Sequence, residues 1–487
     1  MLWRECPKNA WLKVHKPDIY YASEPTEFEK SIIDNGIEVE EVARGRFPAG
    51  ILITGGSEEI RQATERLLAA RTPTLFQPIF ERDGFLAVVD VMDLNSGTGG
   101  YNICEIKSST KPKEEHLYDV AFQTSLVRRC GLKIDRVVLF HLNPGYVRSG
   151  ELDLASLFAT TDMTAKVDEI AGTVACEIEE ARTYLLNDVE PSGPCSCIYK
   201  GRSQHCSTFR YSNPHVPDYS VHDISRIGNS PKKLKEMIDG GVFTLENIPT
   251  HIKLSDIQQA QIRAYNSGET LIKREAITGE LKKLKFPLYF VDYETYPSAM
   301  PLFEQHAPHH HVPFQYSLHI ARSLDEEPIH KEFLHTVLED PSELFVRSLQ
   351  KNIGSTGNII VWNKSFESGI NEALARRLPN AHGFIASLND RIYDLKEIFF
   401  NQYYVHKYLW GKISIKNVLP VLAPHLNYSS LEIQEGGAAS ITWCKIVSGR
   451  LSKEECNDLC ETLKKYCGMD SYAMFAIWRA LHEMSAA

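Results

Sequence analysis

Two sets of acidic residues written into apolar, strand-like segments constrain this chain most. Asp90 sits in Val88-Val89-Asp90-Val91 and is followed by Glu105-Ile106-Lys107. Much later Phe290-Val291-Asp292-Tyr293-Glu294 repeats the idea, and Tyr466 to Asp470 offers a closing carboxylate for it. Successive strand side chains alternate faces, so Glu105 and Lys107 point the same way, as do Asp292 and Glu294. Each pair can converge on one ion. Carboxylates are hard donors that suit Mg²⁺ or Mn²⁺, the ions that activate water and stabilise the leaving oxygen in phosphodiester hydrolysis. Two metal-dependent hydrolytic sites in one polypeptide are the expectation.

At 487 residues the chain has room for two to four domains with ample core. Its 53 Lys and Arg against 63 Asp and Glu give a net charge of −10, so any phosphate-binding surface must be local. The basic runs Lys232-Lys233-Leu234-Lys235 and Lys282-Lys283-Leu284-Lys285 are candidates, but on expected helices they read first as solvated faces. No apolar run is long enough to span a bilayer and the N-terminus lacks signal architecture, so a cytoplasmic protein is expected. Eleven cysteines in that compartment argue against a disulfide framework, and Cys195, Cys197 and Cys206 cluster as metal ligands do.

Residues 1–210 read as an α/β unit, with helices over Glu27–Arg44, Ser57–Ala70 and His116–Cys130. Strands are expected over Phe85–Leu94, Tyr101–Ile106 and Val137–Leu142, the first two joined by the glycine-rich turn Asn95–Gly100. Asp119 and Gln123, four apart on the helix, share a face. The order Asp90, Glu105-x-Lys107, Asp119-x3-Gln123 resembles the RecB-like branch of the PD-(D/E)XK, or restriction-endonuclease-like, superfamily. That resemblance implies metal binding by Asp90 and Glu105, a water-orienting Lys107 and a substrate-positioning Gln123. It also implies a further metal ligand on an N-terminal helix, for which Glu40 is chosen among Glu38, Glu40 and Glu41. The family's tyrosine four residues after the glutamine is replaced by Val127.

One early cysteine, Cys6, with Cys195-Ser196-Cys197 and Cys206 just past the nuclease core resembles the iron-sulfur RecB-like exonucleases. The resemblance implies a 4Fe-4S cluster on these four thiolates, stapling the ends of the domain together; zinc is the alternative. The single residue between Cys195 and Cys197 departs from the family's spacing, leaving Cys176 or His205 open as substitutes. Cys104, Cys130, Cys444, Cys456, Cys460 and Cys467 read as simply buried.

Residues 211–285 read as a small helical connector, and residues 286–487 as an RNase H-like mixed sheet flanked by helices. Strands are expected at Leu288–Asp292, Phe314–Arg322 and Asn358–Trp362, with helices at Ser342–Gln350, Phe366–Arg377 and Glu454–His482. Asp292-Tyr293-Glu294 resembles the first motif of the DEDD exonucleases, and Asn363-Lys364-Ser365-Phe366-Glu367 the second, with glutamate in place of aspartate. Tyr466-Cys467-Gly468-Met469-Asp470 resembles the third. By that resemblance Asp292, Glu294, Glu367 and Asp470 hold metal while Tyr466 orients the water. Asp394 reads equally as a neighbour of this site and as a helix N-cap. The run His309-His310-His311, with His306 and His319, reads as a loop or substrate-facing surface, because consecutive histidines point in different directions.

Taken whole, the chain resembles a bacterial family of uncharacterised iron-sulfur proteins that joins a RecB-like domain to a DEDD-type domain. The resemblance implies a metal-dependent nuclease, with DNA favoured over RNA as partner, in repair or defence against foreign DNA. The alternatives are a nucleic-acid-binding adaptor with one or both sites inactive, and an RNA-processing exonuclease.

Overall fold

The computed structural model describes residues 1–22 and 27–486, the side chain of residue 486 excepted, and shows an α/β protein with mixed sheets. The chain forms two compact units. The first comprises Met1–Cys197, Cys206–Ser212 and Ser298–His310; the second comprises Ile198–His205, Asn213–Pro297 and His311–Ala487. Among the described residues no helix is long and apolar enough to cross a membrane.

In the first unit, β1 (Ile51–Leu52), β2 (Thr74–Phe76), β5 (Val91–Leu94), β6 (Tyr101–Lys107), β7 (Ile134–Leu142) and β8 (Phe158–Asp162) form one sheet in that order. Strand β6 is central, and its Ile103 to Ile106 are all buried, the signature of a strand covered on both faces. It runs parallel to β7, and the Glu114–Arg129 helix makes the crossover between them. Val120 and Val127 of that helix pack with Ile103, Val137 and Leu139 of the sheet. The opposite face buries Phe76, Ile106, Phe140 and Leu142 with Val39 and Ala43 of the Glu27–Arg44 helix, and with Ala299 and Met300 of the returning segment.

The expected single strand Phe85–Leu94 is two strands. β4 (Phe85–Val88) pairs with β3 (Ile79–Arg82) in a hairpin closed by Asp83-Gly84, both at positive φ as a tight two-residue turn requires. β5 pairs instead with β2 and β6. The change of partner falls at Val89-Asp90, where the Gln77 amide donates to the Asp90 carbonyl. Asp90 therefore lies at a break in the ladder.

In the second unit the main sheet runs β12 (Ile329–Leu334), β11 (His311–Ala321), β10 (Leu288–Pro297), β13 (Asn358–Val361), β14 (Ile392–Asp394). β10–β11 and β11–β12 are antiparallel, whereas β10–β13 and β13–β14 are parallel. β10 is longer than the expected Leu288–Asp292 because it continues beside β11 after β13 has ended. Residues 213–285 belong to this unit and are not wholly helical. Beside the helices Pro231–Asp239, Asp256–Ser267 and Arg274–Leu281, β9 (Leu271–Ile272) pairs with β15 (Tyr404–Val405). The chain's last helix, Lys453–Ala486, passes through Gly468 without interruption.

Candidate metal-binding sites

The first unit brings Glu40, Asp90, Glu105, Lys107 and Gln123 together. Parallel-sheet geometry sets Glu105 and Lys107 on one face of β6, and Asp119 and Gln123 reach the same face from the crossover helix. The Lys107 ammonium bonds Glu105 Oε1 and Asp119 Oδ2, each at 2.7 Å, and Gln123 Nε2 donates to Glu105 Oε2 at 2.9 Å. Asp90, freed from the ladder, accepts the Ile106 amide at 2.8 Å. Gln77 Nε2 donates to Glu40 Oε1 at 2.5 Å and to Asp90 Oδ1 at 3.4 Å, which ties the helix-borne glutamate to the strand-borne aspartate.

Electrostatics separate the roles of these groups. Burial first, then the neighbouring charges of Glu105 and Glu40, push the Asp90 carboxyl well above its ordinary range. Glu105, only 4% exposed, is likewise raised by burial, with Lys107 opposing and Asp119 adding to the rise. Burial pulls the Lys107 ammonium down, but the two carboxylates beside it more than offset this, so it stays charged. Four carboxylates, Glu40, Asp90, Glu105 and Asp119, meet two cations here, Lys107 and Arg44, whose guanidinium bonds Glu40 Oε1 at 2.6 Å, so negative charge is in excess.

In the second unit Asp292 lies in β10 just past the end of its parallel pairing with β13, Glu367 in the first turn of the Lys364–Arg377 helix that follows β13, and Asp394 at the end of β14. Glu294 follows at a bulge where the β10–β11 register shifts between Glu294 and Thr295. The C-terminal helix adds Tyr466, Cys467 and Asp470. One ligand atom each from Asp292, Glu294 and Cys467 lie within 4.8 Å of one another. Burial, then Asp470, Glu294 and Glu367 in turn, drive the Asp292 carboxyl well above its usual range. Glu294 is raised by burial and by Asp470, with Lys416 opposing. Asp470 is raised by burial and restrained by hydrogen bonds from Tyr428 and Tyr466 and by the Lys416 charge.

Glu367 takes the aspartate position of the second motif, and its charge acts on Asp292 and Glu294. It is 3% exposed, its carboxyl is pushed up to about 8 by burial first, and its Oε2 finds no donor among the described residues. Asp394 is not a helix N-cap, that position falling to Asn363 before Lys364–Arg377 and to Lys396 before Glu397–Phe400; its carboxylate accepts the Lys364 and Lys396 amides, and its charge raises Glu367.

Lys416, whose Ser414-Ile415-Lys416 setting resembles the family without marking a site role, and Tyr428, which no motif marks, also adjoin Tyr466 and Asp470. The Tyr428 hydroxyl donates to Asp470 Oδ1 at 2.6 Å, and Lys416 Nζ lies 3.4 Å from the Tyr466 hydroxyl. In the first site Gln77 was equally silent. Its bridging role depends on a left-handed backbone at φ 59°, which no neighbouring residue announces.

Cys6, Cys195, Cys197 and Cys206 form a buried thiol cluster able to bind a metal, their sulfurs all within 4.8 Å and Cys195 and Cys206 at 3.8 Å. The one-residue spacing is accommodated because Cys197 lies in the 3₁₀ turn Ser196–Tyr199. The helix Pro7–His15, which Cys6 caps, is held against the distant segment by Lys8 to the Gly193 carbonyl (2.8 Å), Trp11 to Asn187 (2.6 Å) and Thr208 to Asn9 (2.8 Å). Hydrogen bonds from Cys195, Cys197 and Cys206 hold the Cys6 thiol well below its ordinary range, while Cys197 and Cys206 are pushed up. Cys176 is exposed and His205 bonds the Lys200 carbonyl, so neither joins the set.

Simple burial fails for several of the remaining cysteines. Cys130 is exposed, Cys444, Cys456 and Cys460 are half-buried, and only Cys104 and Cys467 are buried. Cys467 lies among carboxylates, because i, i+3 spacing on the helix puts it on the face of Asp470. The histidine run makes no metal group among the described residues: His309 bonds the Ser108 carbonyl, His311 bonds Thr295, and His319 bonds Ser471.

Known proteins add little chemistry. A family described as a domain of unknown function (DUF2779) matches residues 289–414, which cover β10 to the residues just before Lys416. The uncharacterized protein MG366 of Mycoplasma genitalium is 27% identical over 241 residues, 44% of this chain and 35% of the relative. Its homolog in Mycoplasma pneumoniae is 25% identical over 234 residues, with the same coverage of each chain. The matched region thus spans about a third of the length of these curated relatives. No solved structure matches the chain.

Proposed function

We propose that the chain is a divalent-metal-dependent nuclease with one carboxylate site in each compact unit and a structural thiolate centre in the first. The observation that carries this reading is the approach of buried Asp292 and Glu294, with ligand atoms within 4.8 Å of each other, near enough to Asp470 and Glu367 from two further stretches for those charges to act on both. Burying that much like charge costs far more than the fold gains from it unless a cation completes the site. Mg²⁺ or Mn²⁺ held there would supply an activated water and neutralise charge developing on phosphate.

The chain's own residues account for the remaining requirements. In the second site Tyr466 is placed to orient a water by its hydroxyl, and the Lys416 ammonium beside it to meet a phosphate oxygen. In the first, Lys107 bridges Glu105 and Asp119 and its charge acts on Asp90, while Gln123 donates to Glu105. Sheet order supports the fold-level readings: an antiparallel β12-β11-β10 meander extended by parallel β13 and β14 accords with an RNase H-like domain. A central β6–helix–β7 crossover carrying the Glu-x-Lys strand accords with a PD-(D/E)XK domain. DNA remains the favoured substrate and repair or defence the favoured setting.

The thiolate centre takes a 4Fe-4S cluster by resemblance, whereas the sulfur spacing favours one tetrahedral ion. Zn–S bonds near 2.3 Å set tetrahedral sulfurs about 3.8 Å apart, the separation of Cys195 and Cys206. Brown protein with iron and labile sulfide selects the cluster; colourless protein with stoichiometric zinc selects the ion.

The nuclease reading is tested by Asp90→Ala and Asp292→Ala, singly and together, on labelled single- and double-stranded DNA and RNA with Mg²⁺ or Mn²⁺. Each single variant should lose one component of cleavage and the double variant all of it. Cleavage unchanged in the double variant overturns the assignment. Tight binding without cleavage in any divalent ion selects the adaptor reading, for which Glu367 in the aspartate position is the supporting feature.

A further inference from the structure

Among the described residues Cys467 is a buried soft donor beside the carboxylates Asp292 and Glu294 of the second unit. It is fully buried, and its sulfur lies 3.8 Å from Asp292 Oδ2 and 3.7 Å from the Asp292 carbonyl oxygen. Together with Glu294, a single atom from each of the three residues falls inside a 4.8 Å limit. Donors on one ion at bond lengths of about 2.0–2.3 Å sit roughly 3.3–4.5 Å apart, so this triangle closes on an ion with small side-chain adjustments. A thiol is a weak hydrogen-bond donor and a poor partner for a carboxylate on its own. Packing alone would be served as well by alanine or valine. Glu367, whose charge acts on both Asp292 and Glu294, is 3% exposed with its Oε2 lacking any donor among the described residues, a second buried oxygen without a partner near these carboxylates.

We propose that Cys467 is a further metal ligand of this site, making it a mixed carboxylate–thiolate site that prefers a borderline ion of the Zn²⁺ or Fe²⁺ class to Mg²⁺. The inference rests on the reading of Asp292 and Glu294 as metal ligands. Thiolate donors raise affinity for the softer ions of the divalent series, whereas an all-oxygen site suits Mg²⁺ and Mn²⁺. On coordination the thiol proton leaves to solvent and the thiolate pair goes to the ion, with no change of oxidation state. Cys467 then sets which metal the site accepts, while Asp292 and Glu294 hold it.

The test uses full-length protein, freed of loosely held divalent ions with its four-cysteine centre left filled, titrated with Co²⁺ and followed by absorbance. Wild type should develop a near-ultraviolet thiolate-to-cobalt band that Cys467→Ser and Cys467→Ala both lose. The Cys467 variants should still bind Co²⁺ through oxygen, visible as weak d–d absorption, and should release it to lower concentrations of competing Mg²⁺ than wild type does. Asp292→Asn should lose both signals. An equal band in wild type and both Cys467 variants overturns the ligand assignment while leaving the carboxylate site standing. Co²⁺ binding unchanged by Asp292→Asn overturns the metal reading of the site itself, and this inference with it.

Discussion

The Tyr428 hydroxyl donates to Asp470 Oδ1 at 2.6 Å, from a stretch 42 residues before that aspartate, which the C-terminal helix carries. Hydrogen bonding to the charged form opposes the burial that would otherwise keep Asp470 protonated. Tyr428→Phe removes that support and leaves the fold's apolar contacts in place. Divalent-ion affinity at this site should fall on the order of 10–100-fold, the range for loss of an outer-sphere partner, with calorimetric titration as the measurement. An unchanged affinity would separate Tyr428 from metal binding.

Lys107 sits between Glu105 and Asp119 as their shared counter-charge. In metal-free protein Lys107→Met leaves Glu105 buried and unpaired, which should cost about 2–4 kcal/mol of stability, somewhat below the ~3–5 kcal/mol for breaking a fully buried pair. Denaturant unfolding checks the size of the loss. Mn²⁺ should restore part of it, because the ion replaces the missing positive charge.

Glu367 makes stability depend on pH. Its carboxyl ionises near 4.5 in the unfolded chain and only near 8 in the fold. Between those values the folded protein keeps a proton that the unfolded chain releases. The resulting stabilisation is fully present below about pH 4.5 and is lost as pH rises through about 8, at ~1.4 kcal/mol per pH unit at most. Thermal midpoints in chelator should therefore fall across this window for wild type and fall less for Glu367→Gln. Parallel profiles for the two proteins would show that Glu367 does not carry the effect.

The thiolate centre joins Cys6 to a segment nearly two hundred residues away. Metal binding by such a set contributes folding free energy directly, so Cys6→Ser or stripping the metal should lower the melting temperature and expose the Pro7–His15 helix to proteolysis. Limited proteolysis with mass-spectrometric mapping of the cleavage sites reads this. Cleavage confined to other regions would mean that the hydrogen bonds from Lys8, Trp11 and Thr208 hold the helix unaided.

Strand period alone determined that Glu105 pairs with Lys107, and helix period that Asp119 and Gln123 reach the same place, because both periods are local properties of the backbone. The glycine-rich turn before Tyr101 and the continuity of the last helix through Gly468 were legible for the same reason. What sequence spacing could not supply was any relation set by a partner strand or a remote segment. Asp90 lies at a break in what reads as one apolar strand, since β4 and β5 choose different neighbours. Ala299 and Met300 pack in the first unit although the chain around them builds the second. Gln77, Lys416 and Tyr428 entered their sites, and Cys467 changed from a packing residue to a donor among carboxylates, only through tertiary contacts. Side-chain periodicity decides which way a residue faces; only the assembled sheet and helices decide what it faces.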